Sequence, residues 1–299
     1  MHQSMFHEMK NYFLQGNMLS KLIFVNVGIF ILANLISLVF FLMAASSDAQ
    51  AIIHWLGISS NPGIIVARPW TVITYMFTHL SLFHILFNMI VFYVGGRLFC
   101  QYIGERRLLG TYIIGGLIGG LFFILSYNFF PVFHEYAEIS VAIGASASVM
   151  AIFIAIATYI PNFQLPLILL GRIRLKYIAV FFVIIDLISI DKGNSGGHIA
   201  HLGGAAYGFL YVMLLKRGHD TGVFFNTLFE KIQSLFKPKP KMRVKYSKYD
   251  RHRPLTDEEY NKQKIETQEK IDKILDKISK NGYDSLTKEE KKLLFKMGK

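Results

Sequence analysis

The sequence predicts an all-α membrane protein: a bundle of six transmembrane helices with both termini cytoplasmic and a small cytoplasmic helical tail at the C-terminus. Three observations predict it. Hydrophobic residues make up 53% of the 299-residue chain and charged ones 17%, with a mean hydropathy of +0.38. Six apolar runs, 22–44, 72–94, 108–127, 141–160, 177–190 and 198–215, approach or reach the roughly 20 residues that a helix needs to cross the hydrocarbon core. Basic residues fall in alternate loops, which orients the spans.

The elements follow in order. The N-terminal segment, 1–21, lacks the basic, apolar, cleavage-site sequence of a secretory signal, so no cleaved leader is expected; with no organellar targeting peptide either, the expected home is a bacterial inner membrane. Lys10 and Lys21 precede the first span, Arg97, Arg106 and Arg107 separate the second and third, and Arg172, Arg174 and Lys176 separate the fourth and fifth. Lys216 and Arg217 follow the sixth. Short basic loops stay in the cytoplasm, so spans two, four and six run from outside to inside. The loop holding "WLGISSNPG" has room for short interfacial helices, and Trp55 and Trp70 suit the outer interface. "GGLIGG" on the third span reads as a packing surface. Cys100 is the sole cysteine, which excludes an intrachain disulfide and a thiol-ligated zinc site.

This topology collects polar residues at one depth. His79, His84 and Asn88 open the second span, Ser146 and Ser148 the fourth, and His198 and His201 the sixth. Ionisable residues are costly in a membrane and usually face a bundle interior or a wet cavity, so their convergence marks a site. A serine becomes nucleophilic when a histidine accepts its proton. His84 and Asn88, at i and i+4, share a helix face from which to donate to an oxyanion. Gly204 and Gly208 follow His201 at i+3 and i+7, a groove that admits a small ridge at Ala147, Ala151 and Ala155. Taken singly, a serine or glycine here usually serves packing, and one histidine would suit a proton path or a metal equally well. A transporter would string ionisable residues across the bilayer, whereas these cluster near one face.

"HLSLFHILFNMIVFYVGGRL", "GASA" and "HLGGAAYG", on the second, fourth and sixth spans, together resemble the rhomboid intramembrane serine proteases, and "ARPWTVITYMFTH" resembles the family's approach to the second span. The resemblance covers roughly 68–215. It implies a serine endopeptidase, residues 22–217, that cleaves transmembrane protein substrates within or near the outer membrane face. Ser146 matches the nucleophile and His201 the base of a dyad with no carboxylate. His84 and Asn88 match the oxyanion-stabilising positions, assisted by the Ser146 amide, and His79 a structural one. No metal or organic cofactor is implied, and the partners are the lipid bilayer and single-span proteins. The alternative is a catalytically silent rhomboid-like protein that binds client transmembrane helices.

Within the motifs, His198 competes with His201, but H-x-x-G-x-x-x-G is satisfied only from His201. Ser148 points to a different helix face from Ser146. Ala147 stands where the family often has glycine, which suggests a tighter oxyanion pocket and slower turnover. Asp186, near the outer end of the fifth span, reads as reaching headgroups or water in a structural or gating role.

Beyond the spans, 218–255 is a basic linker containing "FKPKPKMRVKYSKYDRHRP". Residues 256–299 form a helical hairpin opened by two capping boxes, Thr256 with Glu259 and Thr287 with Glu290. Ile271, Ile274, Leu275 and Ile278 are expected to pack on Leu293, Leu294 and Phe295. The tail's acids are interleaved with its lysines, so nucleic acid is not an expected partner; a cytoplasmic protein partner for the tail is the remaining expectation.

Overall fold

The computed structural model describes residues 16–43, 51–167, 171–223, 225–228, 231 and 256–297; the expectations for 1–15 and for most of the linker lie outside them. The chain divides into two compact units, Met1–Lys237 and Pro238–Lys299.

In the first unit, α1 (Met18–Leu42) opens at Asn17, whose side chain accepts the Ser20 N–H at 2.9 Å. Much of its length is apolar and uncovered, including Leu32, Leu35, Leu38, Phe41 and Leu42. Its anchor is Asn26, fully buried and bonded to the Leu22 carbonyl and the Tyr112 hydroxyl, which in turn donates to the Met76 carbonyl at 2.8 Å. The next stretch carries short helices α2 (Ala51–Leu56), α3 (Pro62–Ala67) and α4 (Thr71–Thr74) and a two-residue strand, β1 (Ile58–Ser59). Trp55 and Trp70 stack with ring centroids 5.7 Å apart, and the Arg68 guanidinium lies 4.8 Å from the Trp55 ring.

The second apolar run does not form one helix. A 3-10 turn (Tyr75–Phe77) ends in extended backbone at 78–81, and α5 begins only at Leu82, running to Phe99. Within this stretch the buried His79 ring accepts the Ala145 N–H at 3.2 Å. A π turn (Cys100–Gly104) and a 3-10 turn (Glu105–Arg107) then lead into α6 (Leu108–Phe129). Gly104, at φ 115°, supplies a backbone conformation closed to most residues. The Phe92 and Tyr112 rings lie 5.4 Å apart, whereas 20 residues of straight helix would span about 30 Å, so α6 folds back beside α5.

The fourth run also starts later than its hydropathy suggests. Val141–Ala142 forms β2, antiparallel to β1 with Ile58 opposite Ala142, and α7 covers only Ser146–Tyr159. At 14 residues this helix is about 21 Å long, and eleven of its residues are buried by the helices around it. A hairpin missed in the sequence, β3 (Gln164–Leu167) with β4 (Gly171–Arg174), leads into α8 (Leu175–Ser189), and α9 (Ser195–Lys216) completes the bundle. Beyond α9 the chain returns to the foot of α6: Asp220 pairs with Arg107 at 2.7 Å and Asn226 accepts the Gly110 N–H.

α7 is gripped from two sides. A Cβ added to Gly204 or Gly208 of α9 would fall well inside contact distance of the Ala147 or Ala151 carbonyl oxygen, and one added to Gly115 or Gly119 of α6 would overlap the Ala151 or Ala147 methyl. Among the described residues, three stretches, Met18–Leu42, Leu82–Phe129 (α5 and α6 together) and Ser195–Lys216, are long and apolar enough to cross a membrane.

In the second unit, α10 (Asp257–Asn281) and α11 (Lys288–Met297) each open with a capping box. Ile274 and Leu286 are buried, and Lys277 bridges to Glu290 at 3.0 Å. Leu275, expected in the seam, is instead half exposed, because it sits one residue round the helix from Ile274. The Phe295 side chain lies outside the described residues.

Two predictions follow from this packing. Gly204→Ala and Gly208→Ala each cost about 1–3 kcal/mol by forcing two backbones apart, lowering the unfolding midpoint in detergent; Gly28→Ala, where a methyl group meets open space, does not. Equal midpoints for all three would contradict the close contact. In the tail, the Thr287 N–H and the Lys277 ammonium hold the Glu290 carboxyl below the usual glutamate range. The stability it contributes is complete above the unfolded pKa and is lost as pH falls through the lower, folded one. Backbone chemical shifts of 287–297 should therefore lose helical character on acidification through that window, and Glu290→Ala should reproduce the change at neutral pH.

Candidate functional site

The site is assembled at the N-terminus of α7. Gly144 of the "GASA" stretch adopts φ 124°, and a Cβ there would sit 2.7 Å from the His84 ring, so a residue without a side chain is required on both counts. Gly144 donates to the Tyr75 carbonyl at 2.8 Å, and Ala145 donates to His79. These bonds hold the turn that delivers Ser146 as the first residue of α7, where helix N–H groups have no partner in their own helix.

A cavity of about 350 Å³ opens beside this terminus. Its wall carries Ser146 of α7, His84 and Asn88 of α5, Asp186 of α8 and His201 of α9, among apolar neighbours that include Phe83, Phe87, Met150 and Phe182. All four residues singled out by sequence thus face one space. Ser146 and His201 share this wall without a hydrogen bond between them; such bonds are often long in ligand-free enzymes and tighten when substrate docks. The Asn88 amide donates to the His84 carbonyl at 2.9 Å, which uses one of its two N–H groups and leaves the other for a ligand. The His79 and His84 rings meet edge to face at 5.1 Å.

Other candidates lie elsewhere. Ser148 is fully buried, against Gly116 and Met76 on the α6 side. The Ala147 methyl packs on Gly119 and is absent from the cavity wall. His198 does not line the cavity either.

Asp186 departs most from expectation. Its side chain does not reach out to headgroups or water: it is 4% exposed, and its Oδ1 contacts Nδ1 of His198 at 2.8 Å and Nδ1 of His201 at 2.9 Å. The resemblance implied a dyad with no carboxylate, yet a carboxylate stands behind the histidine. Energetics favour this placement. A buried charge is costly unless it is paired and hydrogen-bonded, and hydrogen bonds to a charged group return about 1.5–3 kcal/mol each. The signal was present in the sequence: a lone acid in an apolar span needs a partner, and the histidines of the next span lie at its depth. Among the described residues, Asp186, His198 and His201 form a group that could hold a metal ion, since one ligand atom from each lies within 4.8 Å of the others.

Comparisons with known proteins agree with this architecture. A model of the Rhomboid domain matches residues 66–218, just over half of the chain, and 256–297 match a family of unknown function, DUF6576. RHOMBOID-like protein 12, mitochondrial, of Arabidopsis thaliana is 28% identical over 160 residues, 50% of this chain and 48% of the relative. Presenilin-associated rhomboid-like protein A, mitochondrial, of Danio rerio is 30% identical over 46% of this chain and 35% of its own. The human presenilin-associated rhomboid-like protein, mitochondrial, is 30% identical over 61% and 46%. The chain spans about half the length of the curated relatives it matches.

These names correct the expected localisation. The bacterial inner membrane was expected from the lack of a targeting peptide, but the relatives are named as mitochondrial proteins, which points away from that assignment. With the Rhomboid domain matched across the helices that build the cavity, the chain belongs to the rhomboid family.

Proposed function

We propose that this chain is an intramembrane serine endopeptidase that cleaves transmembrane protein substrates within or near the outer membrane face. In this reading α1, α5, α6, α7, α8 and α9 are six crossings, with both termini on the side of the basic loops, and the tail is a separate hairpin with a partner of its own on that side. The observation that carries the proposal is the common cavity of Ser146, His201, His84 and Asn88.

The chemistry follows from that arrangement. Ser146 Oγ attacks the scissile carbonyl carbon while His201 Nε2 takes its proton; the same nitrogen then returns the proton to the leaving amine. The charge that develops on the carbonyl oxygen is met by the Ser146 N–H, the free N–H of Asn88 and the His84 ring. Water, activated by His201, hydrolyses the acyl-enzyme and regenerates the serine. His201 is favoured over His198 as base because it lines the cavity and His198 does not.

The test is cleavage of a labelled single-span substrate by the reconstituted full chain. Ser146→Ala and His201→Ala should each lower the rate by about 10³-fold or more, while His198→Ala retains measurable turnover. Cleavage that survives Ser146→Ala removes the nucleophile assignment. An unaltered chain that binds the substrate helix without cutting it points instead to a client-binding protein.

A further inference from the structure

Behind the cavity, one carboxylate oxygen serves two imidazoles. Asp186 Oδ1 lies 2.8 Å from His198 Nδ1 and 2.9 Å from His201 Nδ1. An ionised carboxylate only accepts, so each ring must present a protonated Nδ1. Protonation at Nδ1 leaves Nε2 of a neutral imidazole with its lone pair, and a base needs that lone pair to take a proton from serine. The two histidines sit one turn apart on α9, so both reach Asp186 on α8 from the same side, their rings nearly perpendicular with centroids 5.9 Å apart. His198 does not line the cavity, yet it fills the second acceptor direction of the oxygen that His201 uses.

We propose that Asp186 is a positioning residue for the base, holding His201 as the Nδ1–H tautomer with Nε2 available to Ser146, and that His198 is a second clamp that fixes the carboxylate. This rests on the protease reading above. It turns a two-residue site into a linear relay of serine, imidazole and carboxylate. When His201 becomes imidazolium it also gains a fixed counter-charge, without Asp186 itself accepting the proton.

The experiment uses the full chain, reconstituted in lipid. Ring ¹⁵N spectra of labelled histidine in the unaltered protein should show His201 with Nδ1 protonated and Nε2 bare; the opposite tautomer overturns the proposal without need of any variant. Asp186→Asn, shown to be folded by its thermal midpoint, should lower kcat by roughly 10²-fold with little change in KM. It should slow fluorophosphonate labelling of Ser146 to a similar degree and disperse the His201 tautomer signal. Asp186→Glu should restore part of each loss. Asp186→Asn that cleaves like the unaltered chain, or that loses activity with the His201 tautomer unchanged, overturns the proposal. So does loss of wild-type activity on chelation, which would put a metal ion where the proton is assigned. If the unaltered chain neither cleaves nor labels at Ser146, the protease reading fails by itself, and the tautomer spectrum still decides the role of Asp186.

Discussion

The closest constraint in the molecule is the direct apposition of the α7 and α9 backbones. Within a bilayer, apolar side chains gain little by leaving lipid for one another, so helices associate through close packing and hydrogen bonds. Gly204 and Gly208 bring α9 against the carbonyls of Ala147 and Ala151, while Gly115 and Gly119 of α6 admit the same two alanines from the other side. Ser146 precedes the first of those alanines, and His201 lies one turn before the first of those glycines. The spacing that sets the helices also sets the reactive side chains.

Around this tight trio, α1 and α8 are tied in by few polar contacts. α1 is held by Asn26 and its chain to Tyr112 and Met76, and by the Met18 N–H that donates to Glu105. α8 buries only Leu175, Ala179 and Asp186, and of these Asp186 alone makes hydrogen bonds to α9. The bond that orients the histidines is therefore also one that ties α8 to the bundle. Site geometry and the placement of α8 are coupled through one carboxylate.

Much of this was legible in the sequence because its signals are short-range and periodic. The apolar runs located the helices, the glycine spacing after His201 marked a face, and both capping boxes of the tail are present in full. What hydropathy could not register was where an apolar run stops being helical. Residues 141–145 are apolar enough to sit in lipid, but their backbone groups are claimed by tertiary partners: Ala145 donates to the His79 ring, Gly144 to the Tyr75 carbonyl, and Val141–Ala142 pairs with Ile58–Ser59. Asp186 was misplaced for a related reason. Its position along the span suggested the surface, whereas its direction is set by the partners across the helix interface. The hairpin of Gln164–Leu167 with Gly171–Arg174 carries too few residues to stand out from a basic loop.

The brevity of α7 has a further consequence. A helix of 14 residues that its neighbours enclose has no exposed hydrophobic length to match to the bilayer. Thickness mismatch falls on the outer helices, which can tilt. The depth of Ser146 below the protein's own rim is therefore fixed internally, and in the protease reading proposed above the position of a cut is measured from the protein and not from the surrounding lipid.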